Sequence, residues 1–386
     1  MVAYWFSLSV VIALLVLRYR KIPLLSPYGI FLAFQCLYNL IPLASVKVLG
    51  LDVDAINQQV FLSTTANIAF ALAIGLFYKE YDFPQQPFVP KRRSRQYILA
   101  CFPLFLITCV LCYFWGWHVF VQSLSQSGIA LEGGGMRSVT AYAKHACIAC
   151  YLYYLGRYRL DRYSMVLLAG LLVIVAVDGS RNNIFPVLVL TLMLWQSVKK
   201  IPTGKILTIF VICIAVLMGL RGVIIGATGL DTIAGPFVVE GAMAPYSSIQ
   251  SIYAIQHMSS PPYLYGIGSM GTWEKGITGV IVGAFTPIGG FYYIAEAVAD
   301  FGYYGPVIET FCFGWLLTRS EKWKRQRPLL YFAFISTVGI VFVKSQISNG
   351  VKLFIAVSFF LAIISLLHRL KMLLRQHSLK FDNALQ

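Results

Sequence analysis

The chain has 386 residues, of which 58% are hydrophobic and only 12% are charged. Soluble domains carry about 25% charged residues, so this composition excludes a soluble globular protein and predicts an integral membrane protein. The formal net charge of +16 does not indicate nucleic-acid binding, because most of the lysines and arginines lie in short segments between apolar runs. We therefore predict one all-α polytopic transmembrane domain over residues 1–386.

Eleven apolar runs follow one another along the chain, and each is predicted to form a transmembrane helix. The predicted spans are 2–17, 28–49, 59–78, 97–116, 141–156, 163–177, 184–198, 206–222, 302–318, 329–343 and 353–368. Lysine and arginine concentrate after every odd-numbered span, which marks those ends as cytoplasmic. The N-terminus is therefore predicted outside and the C-terminus in the cytoplasm. Further membrane-inserted segments within 223–300 would raise the count to 12 or 13, and an extra pair would leave both ends unchanged.

The largest predicted piece outside the membrane is the segment 223–300, on the outer face between spans 8 and 9. Two stretches in it, 241–258 and 276–295, are predicted as short helices that lie on the membrane or dip into it. This segment has five acidic residues against a single lysine, Lys275, and it is rich in tyrosine. Aromatic rings together with carboxylates are typical of carbohydrate recognition, and a carboxylate can also take the proton of an attacking hydroxyl. The alternative for each acid is a solvated loop charge. The candidate bases are Glu296, Asp300 and Glu240, and the candidate sugar-binding residues are Tyr265, Trp273, Tyr292 and Tyr293.

Three arginines at the outer ends of predicted helices break the positive-inside trend: Arg137, Arg181 and Arg221. Arg181 belongs to the polar tip Asp178-Gly179-Ser180-Arg181 between spans 6 and 7. Guanidinium groups bind phosphate oxygens in pairs and stay charged, so the three arginines predict a site for a lipid-linked diphosphate. The alternative is that each arginine reaches separately to the interface. Ser180, Lys344 and Lys144 are further candidates for this anion site.

Other kinds of site find little support in the sequence. The eight cysteines lie in or beside apolar runs and are predicted to pack in the core. Neither a paired Asp-x-Asp nor a histidine pair at helical spacing is present, so no metal is expected. The glycine run at 133–135 lies on the outer side, away from cytoplasmic nucleotides, and no cofactor is expected.

Several short motifs resemble those of the Wzy-type O-antigen polymerases, which join oligosaccharide repeat units. Gly179-Ser180-Arg181 after a span is similar to their recurrent hairpin, and Gly134-Gly135-Met136-Arg137 to the arginine-bearing segment that precedes it. Leu264-Tyr265-Gly266 and the stretch 295–305, which contains Phe-Gly-x-x-Gly, resemble the end of the family's large loop. The resemblance covers roughly 130–315, and Asp300 stands where the family often has asparagine.

This resemblance implies a periplasmic reaction at the bacterial inner membrane between two undecaprenyl-diphosphate-linked oligosaccharides. A hydroxyl of one repeat unit attacks the anomeric carbon of the other, and undecaprenyl diphosphate leaves. Arg181, Arg137 and Arg221 would hold the diphosphate, and Glu296, Asp300 or Glu240, in that order, would act as the base. A chain-length regulator is the implied protein partner.

Two other functions stay open at the level of sequence. An O-antigen ligase uses the same donor with a lipid A-core acceptor, and a loop histidine is implicated in that family, where His257 would be the candidate. A flippase or transporter would also need arginines for a diphosphate. However, a transporter is expected to show internal repeats and cationic sites near mid-membrane, and the sequence shows neither.

Overall fold

In the computed structural model of the protein, the described residues are helical, with no strand among them. They are 1–49, 53–82, 91–116, 134–158, 160–178, 184–199, 293–339 and 347–384, with single residues or pairs at 202, 204–205, 208–209, 211–212, 249, 252 and 342. The helices are α1 (Val2–Tyr19), α2 (Pro27–Leu49), α3 (Val53–Phe77), α4 (Lys91–Trp115), α5 (Gly134–Arg157), α6 (Arg162–Asp178), α7 (Phe185–Lys199), α8 (Tyr293–Phe301), α9 (Gly305–Gln326), α10 (Pro328–Phe334) and α11 (Ile347–Ala384). A 3₁₀ turn, Gly302–Tyr304, joins α8 to α9, and a π-helical turn, Ile335–Gly339, follows α10.

Four of the described helices are long and apolar enough to cross a membrane: Val2–Tyr19, Val53–Phe77, Arg92–Trp115 and Gly350–Lys371. The described part of the chain is therefore all-helical and has several candidate membrane-spanning helices, as predicted, while the count of eleven spans stays a prediction. The last helix, α11, has 38 residues and is therefore about 57 Å long, which exceeds the roughly 30 Å of a bilayer's hydrocarbon core. It extends well past the predicted span 353–368.

The chain divides into two compact units. The first comprises Met1–Phe83, Phe185–Arg327 and Phe334–Lys352, and in it α3 packs along both α1 and α9. Its core is aromatic: the ring of Phe31 stacks on Phe70 at 4.1 Å, and that of Phe313 on Phe342 at 3.8 Å. Ile249, from the predicted outer segment, is buried in this unit beside Phe6 and the first turns of α3.

Contacts at both ends of α3 show that α1, α3 and α9 run in the same direction. Near its start, Gln58 donates a hydrogen bond to the Tyr303 hydroxyl at 3.0 Å. Near its end, the Gly75 carbonyl accepts a hydrogen bond from Arg20, which directly follows α1. The predicted topology requires this common direction for spans 1, 3 and 9.

A stripe of buried polar side chains runs down α3 at positions four residues apart, Gln59, Ser63 and Asn67. Each makes a hydrogen bond to a neighbouring helix of the same unit: Gln59 to the Tyr38 carbonyl at 3.1 Å, Ser63 to Asn39 at 3.0 Å and Asn67 to Ser9 at 3.1 Å. Because buried polar groups without partners are costly in lipid, these bonds fix how the three helices pack.

The second unit comprises Pro84–Ile184, Pro328–Ala333 and Leu353–Gln386, and its helices α4, α5 and α6 pack against one another. Gly170 on α6 lets the helix approach closely, since a Cβ there would lie 2.7 Å from the Phe105 ring. Nearer the start of α4, Tyr97 contacts the rings of Tyr153 and Tyr158. The prediction that the cysteines pack in the core holds for four free thiols of this unit, which are Cys101, Cys112, Cys147 and Cys150. It does not hold for Cys36 and Cys109, which are partly exposed, or for Cys312, which is exposed.

Candidate functional site

Most of the predicted site residues lie outside the described residues. These are Glu240, Ser180, Arg181, Arg221, Lys344, Tyr265, Trp273 and Tyr292, together with His257. Arg137 lies in the first turn of α5, where only its backbone is described. Glu296, Asp300, Tyr293 and Lys144 are fully described, and the structure gives each a definite environment.

Glu296 and Asp300 lie on α8, and their buried carboxyl groups belong to a cluster of three. The two residues are four positions apart and therefore share one face of the helix. Glu296 is 2% exposed and Asp300 is 1% exposed. Glu309, on α9, lies beside them, and its carboxyl group interacts electrostatically with those of Glu296 and Asp300. We call Glu296, Asp300 and Glu309 the carboxyl cluster.

The chain reversal between α8 and α9 brings these carboxyl groups together. Gly302 has φ of 61°, a left-handed conformation that glycine adopts without strain. Three residues later, a Cβ at Gly305 would collide with the Ala297 carbonyl, so only glycine allows α9 to start this close to α8. The two glycines of the Phe-Gly-x-x-Gly motif thus have a structural explanation, because they set Glu309 against Asp300.

Glu309 is the residue of this cluster that the sequence interpretation missed. It lies in the interior of the predicted span 302–318, for which the sequence predicts no site residue. The signal was available, however, because Glu309 is the only acidic residue within that span. An ionisable group inside a membrane segment is a functional candidate in its own right.

The carboxyl cluster can hold and exchange a proton. Negative charges that lie close together and away from water repel one another, so a group of neighbouring carboxyls favours a state in which at least one of them is neutral. When one carboxyl is neutral and its neighbour is charged, a proton can move between them without the cost of adding a second buried charge. This is the property required of a general base that must later release its proton.

Tyr293 has a structural position rather than an open sugar-binding surface. Its side chain is fully buried, and its hydroxyl accepts hydrogen bonds from Gln35 at 2.7 Å and from Thr310 at 3.1 Å. Its ring lies against Phe31 and Phe342. Because its ring is buried against neighbouring side chains, Tyr293 serves the packing of α8 and does not offer the open sugar-binding surface that the sequence predicts.

In the second unit, Lys144 forms an ion pair with Asp178, with Nζ 2.6 Å from Oδ2. From the sequence, Lys144 is predicted as a further candidate for the anion site, and no contact is predicted for Asp178. The structure instead joins them, which neutralises the lysine. An unpaired charge in lipid costs free energy, so an acid and a lysine at the predicted outer ends of two apolar segments are expected to pair. The sequence therefore contained an indication of this ion pair.

Each unit also has an end that carries a group of basic residues. In the first unit, Glu321 on α9 is paired with Lys324 and accepts a hydrogen bond from Tyr28 at 3.3 Å. Burial raises the pKa of the Glu321 carboxyl, and the nearby Lys324 charge partly opposes this shift. Twelve residues separate Glu321 from Glu309 on α9, so the carboxyl cluster lies about 18 Å away, toward the other end.

In the second unit, too, basic residues lie at one end of the helices. Arg93, Arg157 and Lys371, from three different helices, all interact electrostatically with His368. The Lys144–Asp178 ion pair lies thirteen residues up α5 from Arg157, about 20 Å away along the helix. In each unit, basic groups therefore lie at the end that the sequence predicts to be cytoplasmic. The carboxyl cluster of the first unit and the Lys144–Asp178 ion pair of the second lie toward the opposite ends of their own units.

No protein-family profile, curated protein or solved structure matches this chain. Within the described residues, no group of three histidine, cysteine, aspartate or glutamate side chains has the geometry of a metal site.

Proposed function

We propose that this protein is a membrane glycosyltransferase that polymerises oligosaccharide repeat units at the periplasmic face of a bacterial inner membrane. Its substrates would be two undecaprenyl-diphosphate-linked oligosaccharides, and its products a lengthened glycan on one carrier and free undecaprenyl diphosphate. A chain-length regulator in the same membrane is the proposed protein partner. The observation that supports the proposal is the carboxyl cluster, because the candidate bases Glu296 and Asp300 are buried on one face of α8 and a third carboxyl group, that of Glu309, lies beside them.

The proposed reaction makes one glycosidic bond and breaks one. A hydroxyl oxygen of the acceptor glycan attacks the anomeric carbon of the donor, and the bond from that carbon to the diphosphate oxygen breaks. The hydroxyl proton passes to a carboxylate of the carboxyl cluster. The diphosphate leaves with the bonding electrons, and its growing negative charge is stabilised by Arg181, Arg137 and Arg221.

The outer face offers neither nucleotide sugars nor ATP, so a reaction there needs a donor that is already activated. A polyprenyl diphosphate is such a donor, because its leaving group is a stable anion. Guanidinium groups are suited to it, since they bind two phosphate oxygens at once and do not lose their charge. The arginines and the carboxylates thus serve different parts of one reaction.

The test is the surface-polysaccharide profile of a strain that lacks this protein, complemented with the wild type or with Glu309→Gln. We expect the deletion strain to carry single repeat units on its lipid A-core, and the wild-type gene to restore long chains. Loss of all repeats from the core, with polymer retained on the carrier, would identify a ligase instead. Repeat units trapped on the cytoplasmic side would identify a flippase.

A further inference from the structure

Aromatic rings bring α4, α5 and α11 together at one end of the second unit. The centroid of the Tyr97 ring, on α4, lies 5.9 Å from that of the Tyr153 ring on α5. The ring of His368, on α11, lies 6.1 Å from the same Tyr153 ring. Three helices from distant parts of the chain are therefore held side by side at this end.

A basic residue lies one helical turn beyond each of these rings, on the same face of its helix and toward the same end of the unit. These residues are Arg93 on α4, Arg157 on α5 and Lys371 on α11. All three are exposed, and all three interact electrostatically with His368. Because the three helices meet there, the three cations lie around one small area. We call Arg93, Arg157 and Lys371 the cation cluster.

Among the described residues, no acidic side chain forms an ion pair with the cation cluster. Asp161 is the acid closest to Arg157 in the sequence, and its carboxyl group has other partners. It accepts hydrogen bonds from the Tyr154 hydroxyl at 3.0 Å and from two backbone N–H groups in the first turn of α6. Positive charges held close together repel one another, so an anion that binds between them lowers the free energy.

The surface beside the cation cluster, on the membrane side, is apolar. Leu367 and Ile363 precede Lys371 on α11 by one and two turns, and they are 60% and 37% exposed. Both lie in the segment Gly350–Lys371, which is apolar enough to cross a membrane. A soluble anion makes no use of such a surface, whereas a phospholipid brings both an anionic phosphate and acyl chains.

We propose that the cation cluster binds the headgroup of an anionic phospholipid, at the membrane face that the sequence predicts to be cytoplasmic. The guanidinium groups of Arg93 and Arg157 each offer two donors to phosphate oxygens, and Lys371 adds a third positive charge. The acyl chains lie along Leu367 and Ile363. Basic pockets between membrane helices suit such headgroups. This site is separate from the proposed reaction, which belongs to the opposite face of the membrane.

The test measures the binding of single lipids to the full-length protein in a nonionic detergent by native mass spectrometry. The probes are cardiolipin, phosphatidylglycerol and phosphatidylethanolamine, of which the last has no net charge. Arg93→Gln, Arg157→Gln and Lys371→Gln each remove one charge of the cation cluster. Arg95→Gln is the matched control, because Arg95 is an exposed cation two positions from Arg93 and so lies on the opposite side of α4.

We expect both anionic lipids to bind about tenfold or more tighter than phosphatidylethanolamine. Each cluster variant should weaken cardiolipin binding about fivefold, which is what one basic residue contributes near an anionic lipid surface. Arg95→Gln and Lys371→Arg should bind cardiolipin as the wild type does. Leu367→Gln should weaken binding because it removes apolar contact with the acyl chains. Excess inorganic phosphate should not displace the lipid.

Three results would overturn the inference. Equal losses in Arg95→Gln and Arg93→Gln would show a general attraction of anionic lipid to basic segments instead of a site. Displacement of cardiolipin by inorganic phosphate would show a site for a soluble anion. Equal affinity of the wild type for the three lipids would show that the headgroup charge is not recognised, and this comparison needs no variant to fold.

Discussion

The carboxyl groups of Asp300 and Glu309 lie close together across the turn that joins α8 to α9. One residue ends a short buried helix, and the other lies one turn inside the long helix that follows. Nothing in their sequence separation alone requires the contact. It arises because Gly302 reverses the chain and Gly305 permits the two helices to touch.

The first prediction concerns the proton-accepting role of the carboxyl cluster. Glu309→Gln and Asp300→Asn keep the size of each side chain but remove its ability to take a proton. Because a positioned base typically contributes about 10²–10⁴-fold in rate, each variant should lose nearly all long-chain polymer. Polymer length and amount on gels, at matched protein levels in the membrane, measure the effect. Glu80→Gln, an exposed acid elsewhere in the first unit, is the control and should keep full activity.

The second prediction concerns the turn that builds this cluster. In Gly305→Ala the new methyl group meets the Ala297 carbonyl, a backbone atom that cannot move aside cheaply. Overpacking of this kind costs about 1–3 kcal/mol, so the variant should melt at a lower temperature and lose polymer. Gly204→Ala is the matched control, because a Cβ there has open space around it, and its melting temperature should not fall. Equal melting temperatures for the two variants would contradict the close approach of α8 and α9.

Hydropathy and charge were sufficient to predict much of the fold. The helices α1 and α4 coincide with predicted spans to within a few residues at most ends, because each is an uninterrupted apolar run followed or preceded by cations. The boundary of α3 was less well predicted, since Gln58 and Gln59 look like loop residues until their buried partners are known. The nine-residue helix α8 falls largely within the predicted outer segment 223–300, because its two acidic residues interrupt an otherwise apolar stretch.

The contacts between the candidate site residues could not be predicted from hydropathy and charge. Glu296 and Asp300 were chosen for their chemistry, but the third carboxyl comes from the next helix and depends on a glycine turn. Lys144 and Asp178 are 34 positions apart, and their partnership depends on how α5 and α6 pack. Sequence patterns report the environment of one residue at a time, whereas a site depends on distances between residues far apart in the chain.

The third prediction tests the structural role assigned to Tyr293. Tyr293→Phe removes the acceptor of the hydrogen bonds from Gln35 and Thr310, both in the buried core. Loss of a buried acceptor costs about 1–3 kcal/mol, so the melting temperature should fall by several degrees, while polymer made per folded molecule stays close to normal. Tyr303→Phe, which removes an exposed hydrogen bond to Gln58, should change stability by less than about 0.5 kcal/mol. A loss of activity in Tyr293→Phe without a loss of stability would show that the Tyr293 hydroxyl acts in substrate binding and not only in packing.

The fourth prediction concerns the pH dependence of stability through Glu321. Burial raises the pKa of this carboxyl, so the folded state binds its proton more tightly than the unfolded state does. Its contribution to stability is therefore complete below the pKa of an unfolded glutamate, 4.5, and is lost as pH rises through the folded value. Thermal unfolding in detergent between pH 4 and pH 8 should show a decline that is smaller in Glu321→Gln. Parallel pH curves for the two proteins would show that Glu321 is not the group responsible.

The last prediction concerns Arg181 and separates charge from geometry. Arg181→Ala should abolish polymer while single repeat units still reach the cell surface, because chain transfer fails but transport of the repeat unit does not. Arg181→Lys keeps the positive charge but replaces a planar, two-pronged donor with a single ammonium group. If the guanidinium binds two diphosphate oxygens at once, the lysine variant should also fail, with polymer reduced at least tenfold. Long-chain polymer at wild-type levels in Arg181→Lys would mean that charge alone suffices, and in Arg181→Ala it would rule out an essential role for this residue.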